Sequence, residues 1–319
     1  MVPTASPANF LKEGKVSWLN FQSLRVPQSQ IAPIKRRYSV TADVLSFQRC
    51  PRQYGYFAVK GFAPARAVQI YYGIVIHQVL DRAHAHYMGL INPNTRGQIP
   101  TDEDIERYFQ EVDSALRARG IRAVGAAESD AALRRLKLFN RIEGPQLYPR
   151  VRDTEHRLQS DRGDYLLYGV VDVLADDPNW LPNIGAEIWD YKGGRCPNTN
   201  SEDFRRYEFQ MLVYAELYRE RNGLYPVKAI LYFLGELDAA QTSLTRPATA
   251  LIEVPLDPQR IQVALQMFNV TVAQIERCKA SNNWPAPQPG QEPSEATCDI
   301  CDIRWHCPTR ASQYPMRYP

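Results

Sequence analysis

Residues 164–176 read DYLLYGVVDVLAD and residues 185–194 read GAEIWDYKGG. Each is a run rich in β-branched and aromatic residues bounded by turn formers, which predicts two successive strands able to pair as a hairpin. Alternation sends residues i and i+2 to the same side of a strand. In the second run Asp190 and Lys192 therefore emerge together, while Tyr191 points the other way. Asp172, in the first run, lies on the element expected beside the one holding Asp190. Two carboxylates on adjacent strands with a lysine next to them form a seat for a hard divalent cation, Mg2+ or Mn2+, able to hold water against a phosphate. Lys192 would orient that water and stabilise charge on the phosphorus oxygens. Gly193 and Gly194 read as room for a substrate backbone to approach. The plainer reading of Asp172 and Lys192 is an ion pair at a sheet edge.

Before the first run, DTEHRLQS (153–160) reads as a further strand, separated from it by Asp161, Arg162 and Gly163. Helical patterns precede the strands: Thr41 to Tyr56, about Gly73 to Met88, a stretch from Thr101 opening with a capping pair Thr101 and Asp104, and about Asp130 to Ile142. A helix over Glu202 to Arg221, strands in VKAILYFLGEL and ALIEVPL, and a helix from Pro258 to Lys279 follow. The expected class is α/β, with one central mixed β-sheet flanked by helices. Residues 1–38, rich in Pro, Ser and Gln with a basic end, read as an extended arm. No internal repeat is visible.

The chain has 319 residues, 44% of them hydrophobic, enough for a substantial core. No run of about 18 apolar residues exists and the first residues lack a signal-peptide pattern, so a cytoplasmic protein with no membrane association is expected. A net charge of +3 is only a weak pointer to nucleic acid. Of six cysteines, three stand in CDICDIRWHC as C-x2-C-x5-C: Cys298, Cys301 and Cys307. In a reducing compartment that spacing reads as a metal or cluster site before it reads as disulfides. Cys50, Cys196, Cys278 and, for zinc, His306 are the choices for a fourth ligand. Cys50, in SFQRCPRQYGYF, would tie the early part of the chain to its tail. Cys196 and Cys278 read as structural.

The helix after the Asp-x-Lys strand carries Gln210 and Tyr214 four apart, hence on one face. Upstream, His77 in GIVIHQVL could complete the sphere of a Mn2+-favouring site. His84, His86 and His156 read as ordinary core or surface histidines. Arg52, Lys60, Arg66 and the Arg134, Arg135, Lys137, Arg141 helix face are candidates for phosphate contacts. Tyr54, Tyr56 and Tyr207 could stack bases or belong to the core.

Taken in order, CPR at Cys50, G-x3-H ending at His77, G-x2-D ending at Asp172, DYK at Asp190 to Lys192, Q-x3-Y from Gln210 to Tyr214 and the terminal C-x2-C-x5-C resemble the RecB-like branch of the PD-(D/E)XK nuclease superfamily. The resemblance is closest to its iron-sulfur members, CRISPR-associated exonucleases and the AddB nuclease domain, and runs from about Thr41 to Cys307. It implies a restriction-endonuclease-like core at 39–319, with a helical insertion at about 91–150 and termini stapled by an Fe-S cluster. It implies a metal-dependent DNA exonuclease acting on ends or single strands. His77, Asp172, Asp190 and the backbone carbonyl of Tyr191 would bind Mg2+ or Mn2+. Lys192 would activate water, and Gln210 and Tyr214 would contact DNA or brace the site. Cys50, Cys298, Cys301 and Cys307 would hold a [4Fe-4S] cluster. No G-x4-G-K-[ST] loop appears, so another subunit would supply any unwinding; the resemblance implies a helicase or a CRISPR integration protein as partner. A nuclease-like subunit of a CRISPR adaptation or recombination complex, and a zinc-bound structural module, are the competing readings.

Overall fold

The computed structural model describes residues 35–61, 68–181, 184–237, 243–287, 293, 297–298 and 301–310. The chain divides into two compact units, Met1–Arg36 and Arg37–Pro319. Nearly all of the expected arm, and Arg66 with it, lies outside the described residues. The second unit carries the sheet and the helices around it.

Six strands form one sheet: β1 (Arg36–Ser39), β2 (Val151–Asp161), β3 (Tyr165–Asp176), β4 (Ala186–Lys192), β5 (Lys228–Phe233) and β6 (Leu251–Val254). The order is β1-β3-β4-β5-β6, with β2 also on β3. β4 runs antiparallel to β3 and parallel to β5, and β5 antiparallel to β6. The sheet is therefore mixed, as expected. β3 to β4 is the expected antiparallel pair, and β4 to β5 needs a crossover, which α6 (Glu202–Asn222) provides.

Alternation along β4 sorts its side chains between two cores. Ile188 faces a cluster with Leu231, Phe233 and the buried sides of α6 and α7 (Pro258–Ser281). Trp189 and Tyr191 face a second cluster with Tyr232 and three helices, α3 (Val68–Met88), α4 (Asp102–Ala118) and α5 (Ala126–Leu147). Helices thus cover both faces, and β4 is buried along nearly its whole length. Two of those three helices come from the segment expected as an insertion; Phe109, Val112 and Phe139 belong to the core. α4 opens with the capping box read from Thr101 and Asp104.

At the start of β4 a buried polar knot forms around Glu187, which accepts from Arg150 Nη1 and Trp189 Nε1, both at 2.9 Å, and lies 3.3 Å from Lys228 Nζ. The helix expected from Thr41 to Tyr56 is instead segmented. Ser39, not Thr41, caps a π-helical turn at Val40–Leu45, followed by α1 (Ser46–Arg49) and α2 (Pro51–Tyr54). The break is Cys50, extended at φ −161° and ψ 105°, because a residue before proline is pushed out of the helical region. Among the described residues no helix is long and apolar enough to cross a membrane.

Candidate active site

The site opens where the sheet forks. β4 pairs with β3 only from Asp176↔Ala186 to Val173↔Trp189. β2 fills the other edge of β3, so β1 takes the same edge that β4 leaves. Asp172 and Asp190 are the next residues past the last pair. With the ladder ended, the Tyr191 N–H donates to Asp172 Oδ2 at 2.6 Å, so the carboxylate takes a hydrogen bond that a carbonyl would otherwise receive.

Asp172 Oδ1 lies 3.2 Å from Nδ1 of His77, which α3 carries to the fork. Burial works against a charged His77, but Asp172 and Asp190 outweigh it and raise the imidazole to about 9. Glu155 on β2 completes the group: one ligand atom each from His77, Glu155 and Asp172 lie within 4.8 Å of one another. Its position explains its backbone. The β2–β3 register pairs Thr154 with Val173 and His156 with Val171, which leaves Glu155 facing Asp172. There it adopts φ 48°, a left-handed conformation that is costly for a residue with a side chain and tends to sit at functional sites. Burial and the Asp172 charge push its carboxyl up. Sequence reasoning missed Glu155 because DTEHRLQS reads as an ordinary strand.

Asp190 anchors the other half. Its Oδ2 lies 2.6 Å from Lys192 Nζ, so the strand delivers acid and base to one side as alternation requires. Gln210 on α6 locks the pair: Nε2 donates to Asp190 Oδ1 at 2.6 Å, and Oε1 accepts from Lys192 Nζ at 2.8 Å. Tyr214, one turn on, takes a further contact from Gln210 Nε2 at 3.2 Å. Burial and the Asp190 charge raise the Tyr214 phenol, so it stays protonated. Burial also raises Asp190, opposed by Lys192 and reinforced by Asp172. Asp190 Oδ2 is buried and, despite the nearby ammonium, has no partner with hydrogen-bond geometry. Gly169, the first residue of G-x2-D, is glycine because Tyr214 packs on it; a Cβ there would lie 2.6 Å from the ring.

These side chains line one cleft of about 1150 Å³, together with Asp81, Tyr168 and residues between Ser39 and Arg49. Asp81, four residues after His77 and so on its helix face, accepts from Thr154 Oγ1 at 2.7 Å. Other expectations are redistributed. The Tyr191 ring leaves the site and its hydroxyl meets His84 Nε2 at 2.9 Å. His84 is buried and lowered to about 3, so it is neutral. His86 is buried against Tyr108, and His156 contacts Asp153. Gly193 makes room for protein, since a Cβ there would meet Tyr72 at 2.7 Å, whereas a Cβ on Gly194 would meet nothing within 4 Å; Gly235 is the glycine that makes room for the Gly194 backbone. Tyr54 is core, Tyr56 lies near Arg52 and Lys60, and Tyr207 lies 4.6 Å from Lys192 Nζ. The basic face of α5 is largely committed internally. Arg135 donates to Tyr72 and Leu237, Lys137 to Glu106 and Arg141 to Asp102.

A second constellation lies around Cys50. Its thiol, turned out by the break between α1 and α2, lines a recess with Cys298, Cys301 and Cys307. The tail approaches in tight turns, Cys301 N–H to Cys298 O at 3.0 Å and Arg304 N–H to Cys301 O at 3.1 Å. Burial raises both the Cys50 and Cys301 thiols, and each feels the charge of neighbouring cysteines. Cys196 and Cys278 pack against the first core cluster.

A family described as the PD-(D/E)XK nuclease superfamily matches residues 38–308. Among solved structures, a candidate exonuclease from Eubacterium rectale matches with a TM-score of 0.50 at 15% identity, covering 85% of this chain and 88% of its own. That likeness shows a common fold. The structure of SSO0001 matches with a TM-score of 0.37 at 14% identity, over 88% of this chain and 89% of its own. No curated protein matches significantly.

Proposed function

Because the chain belongs to the PD-(D/E)XK nuclease superfamily, we propose that it is a Mg2+- or Mn2+-dependent deoxyribonuclease of the RecB-like iron-sulfur branch, working as an exonuclease on DNA ends or single strands. The observation that carries this reading is the convergence of His77, Glu155 and Asp172 beside the Asp190–Lys192–Gln210 network in one cleft. The donors suit such a cation. Asp190 Oδ2 is a buried oxygen whose close partner is the Lys192 ammonium at 2.6 Å. Glu155 and Asp190 are both raised in part by the charge of Asp172, a repulsion that a cation between them would relieve. One imidazole among carboxylates favours Mn2+ at least as well as Mg2+.

In this reading His77, Glu155, Asp172 and Asp190 hold the cation, with the Tyr191 carbonyl a further ligand. When bound, it supplies charge neutralisation at the phosphate and an acidified water. Lys192, held at 2.8 Å by Gln210, positions its ammonium to orient the nucleophile and to meet negative charge growing on the phosphorus oxygens. Gln210 fixes Asp190 and Lys192 at once, so neither can rotate away without breaking a bond to the same amide. Tyr214 limits where that amide can go.

We read the recess at Cys50, Cys298, Cys301 and Cys307 as the seat of a [4Fe-4S] cluster. The described lining of the recess brings four cysteines and no histidine, and four thiolates are the donor set such a cluster takes. The arm at 1–38 and the helical segment at about 91–150 are proposed places for a helicase or CRISPR integration partner.

The test is cleavage of an end-labelled DNA single strand in Mn2+ by Asp190→Ala and Lys192→Ala. Each is expected to lose about a thousandfold in rate while remaining folded by circular dichroism. Retained cleavage in either variant sinks the assignment.

A further inference from the structure

Of the charged groups lining the cleft, Asp81, Glu155, Asp172 and Asp190 are acids. A nucleic-acid strand is a polyanion, and a cation held by the carboxylates serves the scissile phosphate; flanking phosphates need positive charge elsewhere. Lys192 is committed to Asp190 and Gln210, and much of the α5 stripe is committed to α4 and to Tyr72. One wall of the cleft differs from the rest. Ser39, Thr41, Ala42, Ser46 and Arg49 line it and bring no carboxylate. The single acid in that stretch, Asp43, turns away: Oδ2 accepts from the Ser39 N–H and Oδ1 from the Tyr54 hydroxyl, both at 2.7 Å.

Arg49 closes α1, is exposed, and has no side-chain partner among the described residues. The exposed Thr41 hydroxyl is equally uncommitted, its carbonyl alone accepting from Ser46 Oγ at 3.1 Å. At the other end of the segment Arg37, also exposed, stacks 4.8 Å above the ring of Tyr168, which lines the cleft. Guanidinium groups at both ends of a hydroxyl-bearing wall suit the forked geometry of phosphate oxygens. We propose that the segment Arg37–Arg49 is the phosphate-binding wall of the cleft, with Arg49, Thr41 and Arg37 gripping the backbone of a single DNA strand beside the scissile bond. The cleft volume of about 1150 Å³ holds a few nucleotides of one strand. This proposal rests on the nuclease reading.

The experiment measures binding of a short fluorescein-labelled oligodeoxythymidylate to the full chain in EDTA, across a salt series, with wild-type cleavage in Mn2+ run alongside. Arg49→Ala and Arg37→Ala are each expected to weaken binding about tenfold and to lower the slope of log K against log salt by about 0.7. Arg49→Lys should recover the slope, and Arg134→Ala on α5 should leave it untouched. Because Arg49 adjoins Cys50, the visible spectrum of each variant is checked against wild type; Arg49→Lys and Arg37→Ala decide the matter if Arg49→Ala alters it. Cleaving wild type with unchanged slopes in both arginine variants overturns the wall and leaves the nuclease standing. Wild type that neither cleaves nor binds DNA overturns both.

Discussion

Gly169 shows how a single missing atom supports chemistry elsewhere. It is not a ligand, yet its bare Cα lets the Tyr214 ring approach β3 closely and so keeps Gln210 between Asp190 and Lys192. Gly169→Ala must displace the ring, and is expected to lower kcat by about tenfold or more, since catalytic groups tolerate only about an ångström of misplacement. Metal affinity, read by Mn2+ titration, should change little. A variant with wild-type kcat would refute this role. At this scale the motif residues were legible: Asp172, Asp190 and Lys192 follow from strand alternation, and Gln210 with Tyr214 from helical spacing. Glu155 was not, because its place depends on a register and a left-handed backbone that no local pattern announces.

Among the elements, α4 depends on its cap. Thr101 Oγ1 accepts from the Asp104 N–H at 3.2 Å while Asp104 returns to the Thr101 N–H at 3.0 Å. Thr101→Ala is expected to cost about 1 kcal/mol, measured by urea unfolding. The same helix meets α3 through His86, whose Nδ1 lies 2.8 Å from the buried Tyr108 hydroxyl. Burial lowers the His86 imidazole below its ordinary value near 6.5, so the fold favours the neutral form. The associated stability is complete above about pH 6.5 and is lost as pH falls below it. His86→Gln should flatten that acid-side slope, and an unchanged slope would refute the assignment. Helix and strand identities were readable from periodicity, but the segmented helix around Cys50 was not. Apolar spacing runs through Cys50 undisturbed, and only the proline after it breaks the backbone.

For the whole molecule, the cysteine recess joins residues some 250 positions apart in sequence, from Cys50 to Cys301. A thiolate-ligated iron-sulfur cluster there predicts a brown anaerobic preparation absorbing near roughly 400 nm. Cys301→Ser should bleach it and lower the melting temperature. A colourless wild-type protein carrying zinc would refute the cluster. The layered α/β class was legible because strands and helices announce themselves by different periods. The fork is not, since it depends on β1, a four-residue strand whose first three residues fall within the expected arm.

The knot around Glu187 has a bearing on fidelity. β4 is buried on both faces along most of its length, so a slide of one position against its neighbours would exchange the side chains it presents to the two cores. Such a shift would turn Asp190 and Lys192 toward the opposite core and present Tyr191 in their place. Glu187 can satisfy Arg150 and Lys228 in one alignment only. A glutamate remote from any reaction thereby acts as the detent that indexes the strand, so that the reactive pair arrives facing the cleft.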